Sequence, residues 1–223
     1  MNTPSPYHGW VSYLYNTIDG SCEALKNDKK AICLKKLENI PKNTFSIHGL
    51  WPGLKTGAYL DDCSGPLTRD DIVDASEKEE NKEFFTEKMY KSWVSYNDDD
   101  PTFWLHEYNK HGYCYSLRKD QTDFVDYFKD AFEFFEEYDF ANLFKKAFPD
   151  AENTVVNVTQ AEVDKIIQTY LPGSYYRLEC SKSTRYITQI YFYYDEEFKP
   201  YKVPFKVDRN CGSKNTKLKI LFK

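Results

Sequence analysis

The sequence predicts an α+β fold on three observations. Apolar residues recur at helical spacing through the middle of the chain. Runs rich in aromatic and β-branched residues stand near both ends. The two kinds of segment are mixed without the strict strand–helix alternation of a doubly wound sheet.

Each element can be argued in order. Residues 10–15, Trp-Val-Ser-Tyr-Leu-Tyr, read as a strand. Phe45-Ser46-Ile47-His48 reads as a short strand ending at Gly49, with Pro52 and Gly53 in a loop. Thr68 followed by Arg69-Asp70-Asp71 has the form of a helix start, with a capping hydroxyl and acids in the first turn. Phe85, Met89 and Trp93 fall on one face of a helix within residues 83–96. Phe124, Phe128, Phe132 and Phe135 repeat the pattern. Leu143, Phe144, Ala147 and Phe148 extend it until Pro149 stops it. Thr159 caps a further helix that ends near Pro172-Gly173. Strand-like runs follow at residues 186–194, 201–207 and 218–222. The aromatic stripes read as core. No repeat or linker divides the chain, so residues 1–223 are expected to form one domain.

Composition narrows the function. With 19 Tyr, 16 Phe and 4 Trp, the chain carries more apolar area than a disordered one. A mean hydropathy of -0.71 and the absence of a long uncharged apolar run predict no membrane span. The 30 Lys+Arg against 35 Asp+Glu leave a net charge of -5, which argues against holding nucleic acid on a broad basic surface but not against gripping RNA locally.

The six cysteines, at 22, 33, 63, 114, 180 and 211, include no CxxC pair. Their even number and wide spacing suit three disulfides in an oxidising compartment, with six buried thiols in a cytosolic protein as the alternative. Six cysteines allow about 15 pairings, among which spacing does not choose. Met1-Asn2-Thr3-Pro4-Ser5-Pro6 lacks the basic and apolar regions of a signal peptide, so a secreted product would be a mature form with an added start Met. Asn157-Val158-Thr159 is the one glycosylation sequon.

Three of the four histidines lie in two dense segments, residues 45–52 and 103–114. If the second is a regular helix, His106, Lys110, Glu107 and His111 fall near about 0°, 40°, 100° and 140° and share one broad face. The His106 to His111 stretch is one residue too long for HExxH, which places its two histidines at i and i+4, and Lys110 beside His111 opposes a dication. No metal and no cofactor are therefore expected. Two imidazoles suit metal-free acid–base chemistry, one accepting a proton while the other donates. Lys110 and Glu107 suit a crowded anionic transition state such as pentacoordinate phosphorus. RNA supplies its own nucleophile, the 2′-OH, and nearby Trp or Tyr rings can stack its bases.

These segments, FSIHGLWP and FWLHEYNKHGYC, resemble the two active-site motifs of the RNase T2 family of endoribonucleases, in the right order and about 55 residues apart. The resemblance implies an α+β fold with a central, mostly antiparallel sheet packed with several helices and linked by disulfides. It implies cleavage of single-stranded RNA through a 2′,3′-cyclic phosphate, without metal, by a protein that is secreted or held in a lysosome or vacuole; a monomer is the default expectation. His48 stands where the family has its general acid and His111 where it has its general base. His106 matches the phosphate-binding histidine. Glu107 and Lys110 match the pair that stabilises the pentacoordinate state, and Trp51 and Tyr59 match positions that contact the base. The resemblance pairs Cys63 with Cys114 and Cys180 with Cys211, which leaves Cys22 with Cys33.

The chain departs from the family pattern in places. Gly53 replaces an Asp that contacts the base, Tyr108 a Trp, and Tyr113 a Thr. The first strand lacks Gln-Trp-Pro, and a Cys expected near Tyr193 is missing with its partner near 204. His8 matches no catalytic position. A T2-like protein used for RNA binding, storage or as a toxin is the rival reading; a zinc hydrolase is the third.

Overall fold

The computed structural model describes residues 9–17, 22, 30, 33, 35–36, 45–54, 60, 63–96, 99–138, 140–151, 154–195, 197–203 and 211–221. His8 and Tyr59 lie outside them, as does the later part of the strand expected over 201–207.

Four antiparallel strands form the main sheet. β1 (Gly9–Thr17) is central and pairs on one side with β2 (Phe45–Leu54). Later strands complete the order β2-β1-β5-β4, where β4 is Tyr175–Cys180 and β5 is Ile187–Tyr194. β2 runs past Gly49 and through Pro52, where a loop was expected. Its place at the sheet edge explains this, since an edge strand tolerates a proline that cannot donate to a ladder. The pairing steps from Leu14↔Gly49 to Tyr15↔Ile47, so His48 is the extra residue of a bulge. Such bulges re-aim side chains beside functional sites.

The helices follow their caps. Thr68 and Asp71 form a capping box at the start of α1 (Arg69–Glu77). The Thr68 N–H and hydroxyl both donate to Asp71 and hold its carboxyl below its usual value. The next stretch is a short α2 (Glu79–Glu83), a π-helical segment (Phe84–Met89) and α3 (Tyr90–Ser92). Phe85, Met89 and Trp93 are all fully buried along it. Asp99 caps α4 (Asp100–Glu107), accepting from the Thr102 N–H and hydroxyl. A second π segment (Tyr108–Gly112) leads into α5 (Tyr113–Arg118).

α6 (Val125–Glu137) buries Tyr127, Phe128, Ala131, Phe132 and Phe134. Phe124 and Phe135, expected on that stripe, are only partly buried. α7 (Phe140–Ala147) is a separate helix that stops short of Pro149. Thr159 and Glu162 box the start of α8 (Gln160–Tyr170), and Gly173 turns the chain with φ 80°. β3 (Val155–Thr159) pairs with β6 (Lys217–Leu221) in a second, two-stranded sheet.

The helices pack on one face of the main sheet. Ile187, Ile190, Phe192 and Tyr194 of β5 join Phe85, Trp93, Trp104, Tyr127 and Phe128 in one core. Tyr191 and Tyr193 form a smaller cluster with Val203, against which Trp51 packs. Disulfides Cys22–Cys33, Cys63–Cys114 and Cys180–Cys211 are formed. No helix among the described residues is long and apolar enough to cross a membrane.

Phe128 meets the rings of Phe85, Trp93, Tyr108 and Tyr127. Phe128→Ala should lower stability by about 3–5 kcal/mol, read as a lower urea midpoint with an unchanged m-value.

Candidate active site

The site is built where the bulge of β2 faces the end of α4 and the π segment after it. Trp93 ties the bulge down, its indole N–H donating to the His48 carbonyl at 2.9 Å. Two residues on, the Tyr127 hydroxyl accepts from the Leu50 N–H and donates to the Leu50 carbonyl, both at 3.2 Å. β2 is thereby fixed to the helical layer on both sides of Gly49.

The second segment is not the regular helix that the wheel of about 100° per residue assumed. α4 ends at Glu107, and the Tyr113 N–H reaches back five residues to the Tyr108 carbonyl. His111 follows Glu107 by four residues, about one turn, so the two side chains share one side of the segment. Gly112 permits this turn, because a Cβ there would lie 2.8 Å from the Tyr108 ring and 2.9 Å from the Tyr127 ring. Asn109 and the Cys63–Cys114 disulfide clamp the turn to the loop after β2. The Asn109 amide donates to the Leu67 carbonyl at 2.8 Å and accepts from the Leu67 N–H at 3.2 Å.

Glu107 is the centre of the site. It is 1% exposed, and its Oε2 accepts from the Trp51 indole N–H at 2.8 Å. Its Oε1 faces His48 Nε2 at 3.5 Å. Burial pushes this carboxyl up, but the His48 charge and hydrogen bond, His111 and the Trp51 N–H together bring it below its usual value. Gly49 makes room for it: a Cβ at Gly49 would lie 2.1 Å from Oε2 and 2.8 Å from the indole nitrogen.

His111 is buried beneath Trp51, the two rings stacked at 4.2 Å and 18°. Its Nδ1 lies 3.2 Å from the Leu60 carbonyl. A carbonyl only accepts, so Nδ1 carries the proton and Nε2 the lone pair. Nε2 is buried with no hydrogen-bond partner among the described residues. Burial lowers the pKa of His111 to about 4, helped by Lys110 and His48 and opposed by Glu107 and Leu60. The imidazole is therefore a neutral base above that pH.

His48 is half-buried and bonded through its other nitrogen, with Gln189 Nε2 2.8 Å from Nδ1. Trp51 and Phe103 stand beside its ring at 5.4 and 5.6 Å. The structure thus brings His48, Trp51, Glu107 and His111 together. His106 is exposed and Lys110 half-buried, the latter felt electrostatically by His111. Sequence reasoning missed Gln189, Asn109, Tyr127 and the Leu60 carbonyl. Only Gln189 carried a signal, as a polar residue inside an apolar strand. Among the described residues, no three His, Cys, Asp or Glu side chains gather in a metal-binding arrangement.

The model of the Ribonuclease T2 family matches residues 13–214. The chain belongs to the Ribonuclease T2 family. Ribonuclease Rh of Rhizopus niveus is 29% identical over 69% of this chain and 66% of its own length. Ribonuclease T2 of Aspergillus oryzae is 28% identical over 70% of this chain and 58% of its own length. The chain thus spans less than two thirds of either relative. The RNase-related protein from Calystegia sepium shares the T2 fold with a TM-score of 0.72 at 16% identity, covering 97% of this chain and 98% of that one.

Gly49→Ala should displace the Glu107 carboxylate and the Trp51 indole together, seen as loss of the Trp51 indole N–H resonance from its hydrogen-bonded position. The unfolded chain protonates His111 near 6.5, but the native state only near 4. The unfolded state therefore binds more protons between these values, and stability falls as pH falls through that window. The loss reaches about 3 kcal/mol, and urea titrations of His111→Phe should show a shallower decline.

Proposed function

We propose that the chain is an endoribonuclease that cleaves single-stranded RNA by transphosphorylation, without a metal ion. The observation that carries this reading is the neutral, buried His111 with its Nε2 lone pair free, set beside Glu107 and His48. His111 Nε2 removes the proton of the 2′-OH, and O2′ attacks phosphorus. The bond from phosphorus to the 5′-oxygen breaks, and His48 Nε2 gives that oxygen a proton. A 2′,3′-cyclic phosphate is left, which water opens with the two roles exchanged. As His111 becomes charged, the Trp51 π-face and the Glu107 carboxylate stabilise it. Lys110 and His106 take the phosphoryl oxygens. Base contact by Trp51 and Tyr59 rests on the family resemblance.

The rest of the reading is consistent with this. Residues 1–223 act as one catalytic domain and as a monomer. Three disulfides support an oxidising compartment, secreted or lysosomal/vacuolar. Asn157 is exposed on β3, as a glycan acceptor must be.

On defined dinucleotides, His48→Ala and His111→Ala should each lose about 10²–10⁴-fold in kcat while remaining folded. Cyclic-phosphate products should form unchanged in EDTA. Because the base must be neutral, kcat/KM should rise with pH through about 4. Full activity in either variant would overturn the reading.

A further inference from the structure

The catalytic motifs account for one nitrogen of His48, and the other is held by a residue 141 positions away. Gln189 and Tyr191 lie two apart on β5, on the face opposite the core residues Ile190 and Phe192. The Tyr191 hydroxyl donates to Gln189 Oε1 at 2.7 Å. With its oxygen so occupied, the amide turns its NH2 toward His48 Nδ1 at 2.8 Å. An NH2 only donates, so Nδ1 accepts, and the proton of neutral His48 sits on Nε2, toward Glu107. Tyr191 is itself anchored, with the Arg177 guanidinium 5.0 Å over its ring and the Trp51 ring edge-on at 6.1 Å.

We infer that Gln189, locked by Tyr191, is the positioning residue of His48: it fixes the plane of the imidazole and holds Nε2 toward Glu107, whether or not Nδ1 carries a proton. This rests on the ribonuclease reading of the same site and adds a third segment to it, from β5. Gln189 acts on the reaction through His48 and is therefore a positioning residue. The amide of a glutamine is suited to this, because rotation exchanges donor for acceptor. The Tyr191 hydroxyl can likewise donate or accept. The pair can therefore accommodate Nδ1 with or without a proton, whereas a glutamate only accepts.

Two substitutions separate these properties. Gln189→Leu removes the partner, and Gln189→Glu keeps the shape but leaves only an acceptor. Long-range 1H–15N spectra of the 15N-histidine protein read the protonated nitrogen directly, with His48 assigned by its loss in His48→Ala. Neutral wild-type His48 should carry its proton on Nε2. Gln189→Glu should move it to Nδ1, and Gln189→Leu should leave a mixture. On a dinucleotide, Gln189→Leu should lose about ten-fold in kcat with KM nearly unchanged, and Gln189→Glu should restore most of it. An unaltered His48 spectrum in both variants would overturn the inference, as would full kcat in Gln189→Leu. If wild-type protein cleaves no RNA and Gln189→Glu still moves the proton, the ribonuclease reading falls and the Gln189 partnership stands.

Discussion

A carboxylate buried in the middle of the protein is the constraint on which the site depends. Glu107 is almost wholly out of water, and a charge in that position is tolerated only when its partners are in place. The Trp51 indole N–H and the His48 imidazole supply those partners. Removing one partner of a buried pair typically costs about 3–5 kcal/mol, because the remaining charge is stranded. The Trp93 and Tyr127 contacts to β2 therefore do more than join a strand to a helical layer. They hold His48 and Trp51 at the distance that the Glu107 charge requires.

The second histidine is held from its own side. The π turn carries His111, and the loop after β2 is fastened to that turn twice, by Asn109 and by the Cys63–Cys114 bridge. The loop in turn supplies the Leu60 carbonyl that sets the tautomer of His111. A covalent link and a side-chain amide thus fix a backbone oxygen against one imidazole nitrogen, which preorganises the site.

Local rules were legible in the sequence wherever the structure is locally determined. Thr68 and Thr159 cap the helices their spacing promised, and Phe85, Met89 and Trp93 bury the face they share. The rules failed where tertiary context decides. Pro52 reads as a loop residue, and only a place at the sheet edge lets it sit in a strand. β4 alternates Tyr176, Leu178 and Cys180 with Arg177 and Glu179, so its strand pattern stands in the sequence, although no strand was expected there. The π turn has no signature in side-chain spacing. For the site, His48, Glu107 and His111 were legible as a cluster of chemistry-bearing types. Gln189 stands out only as a polar residue in an apolar strand, and nothing local relates it to a histidine 141 positions earlier.

Two histidines stand beside one carboxylate, yet they differ. Both feel Glu107, so the shared charge cannot distinguish the proposed acid from the proposed base. Their second nitrogens can. His111 meets a backbone carbonyl, which permits one tautomer and leaves its lone pair on Nε2, inside a pocket that burial keeps neutral. His48 meets a side-chain amide instead and stays partly open to solvent, where a proton can be replenished. In the proposed mechanism the division of roles between the two histidines rests on the partners of their Nδ1 atoms, one on the loop after β2 and the other on β5.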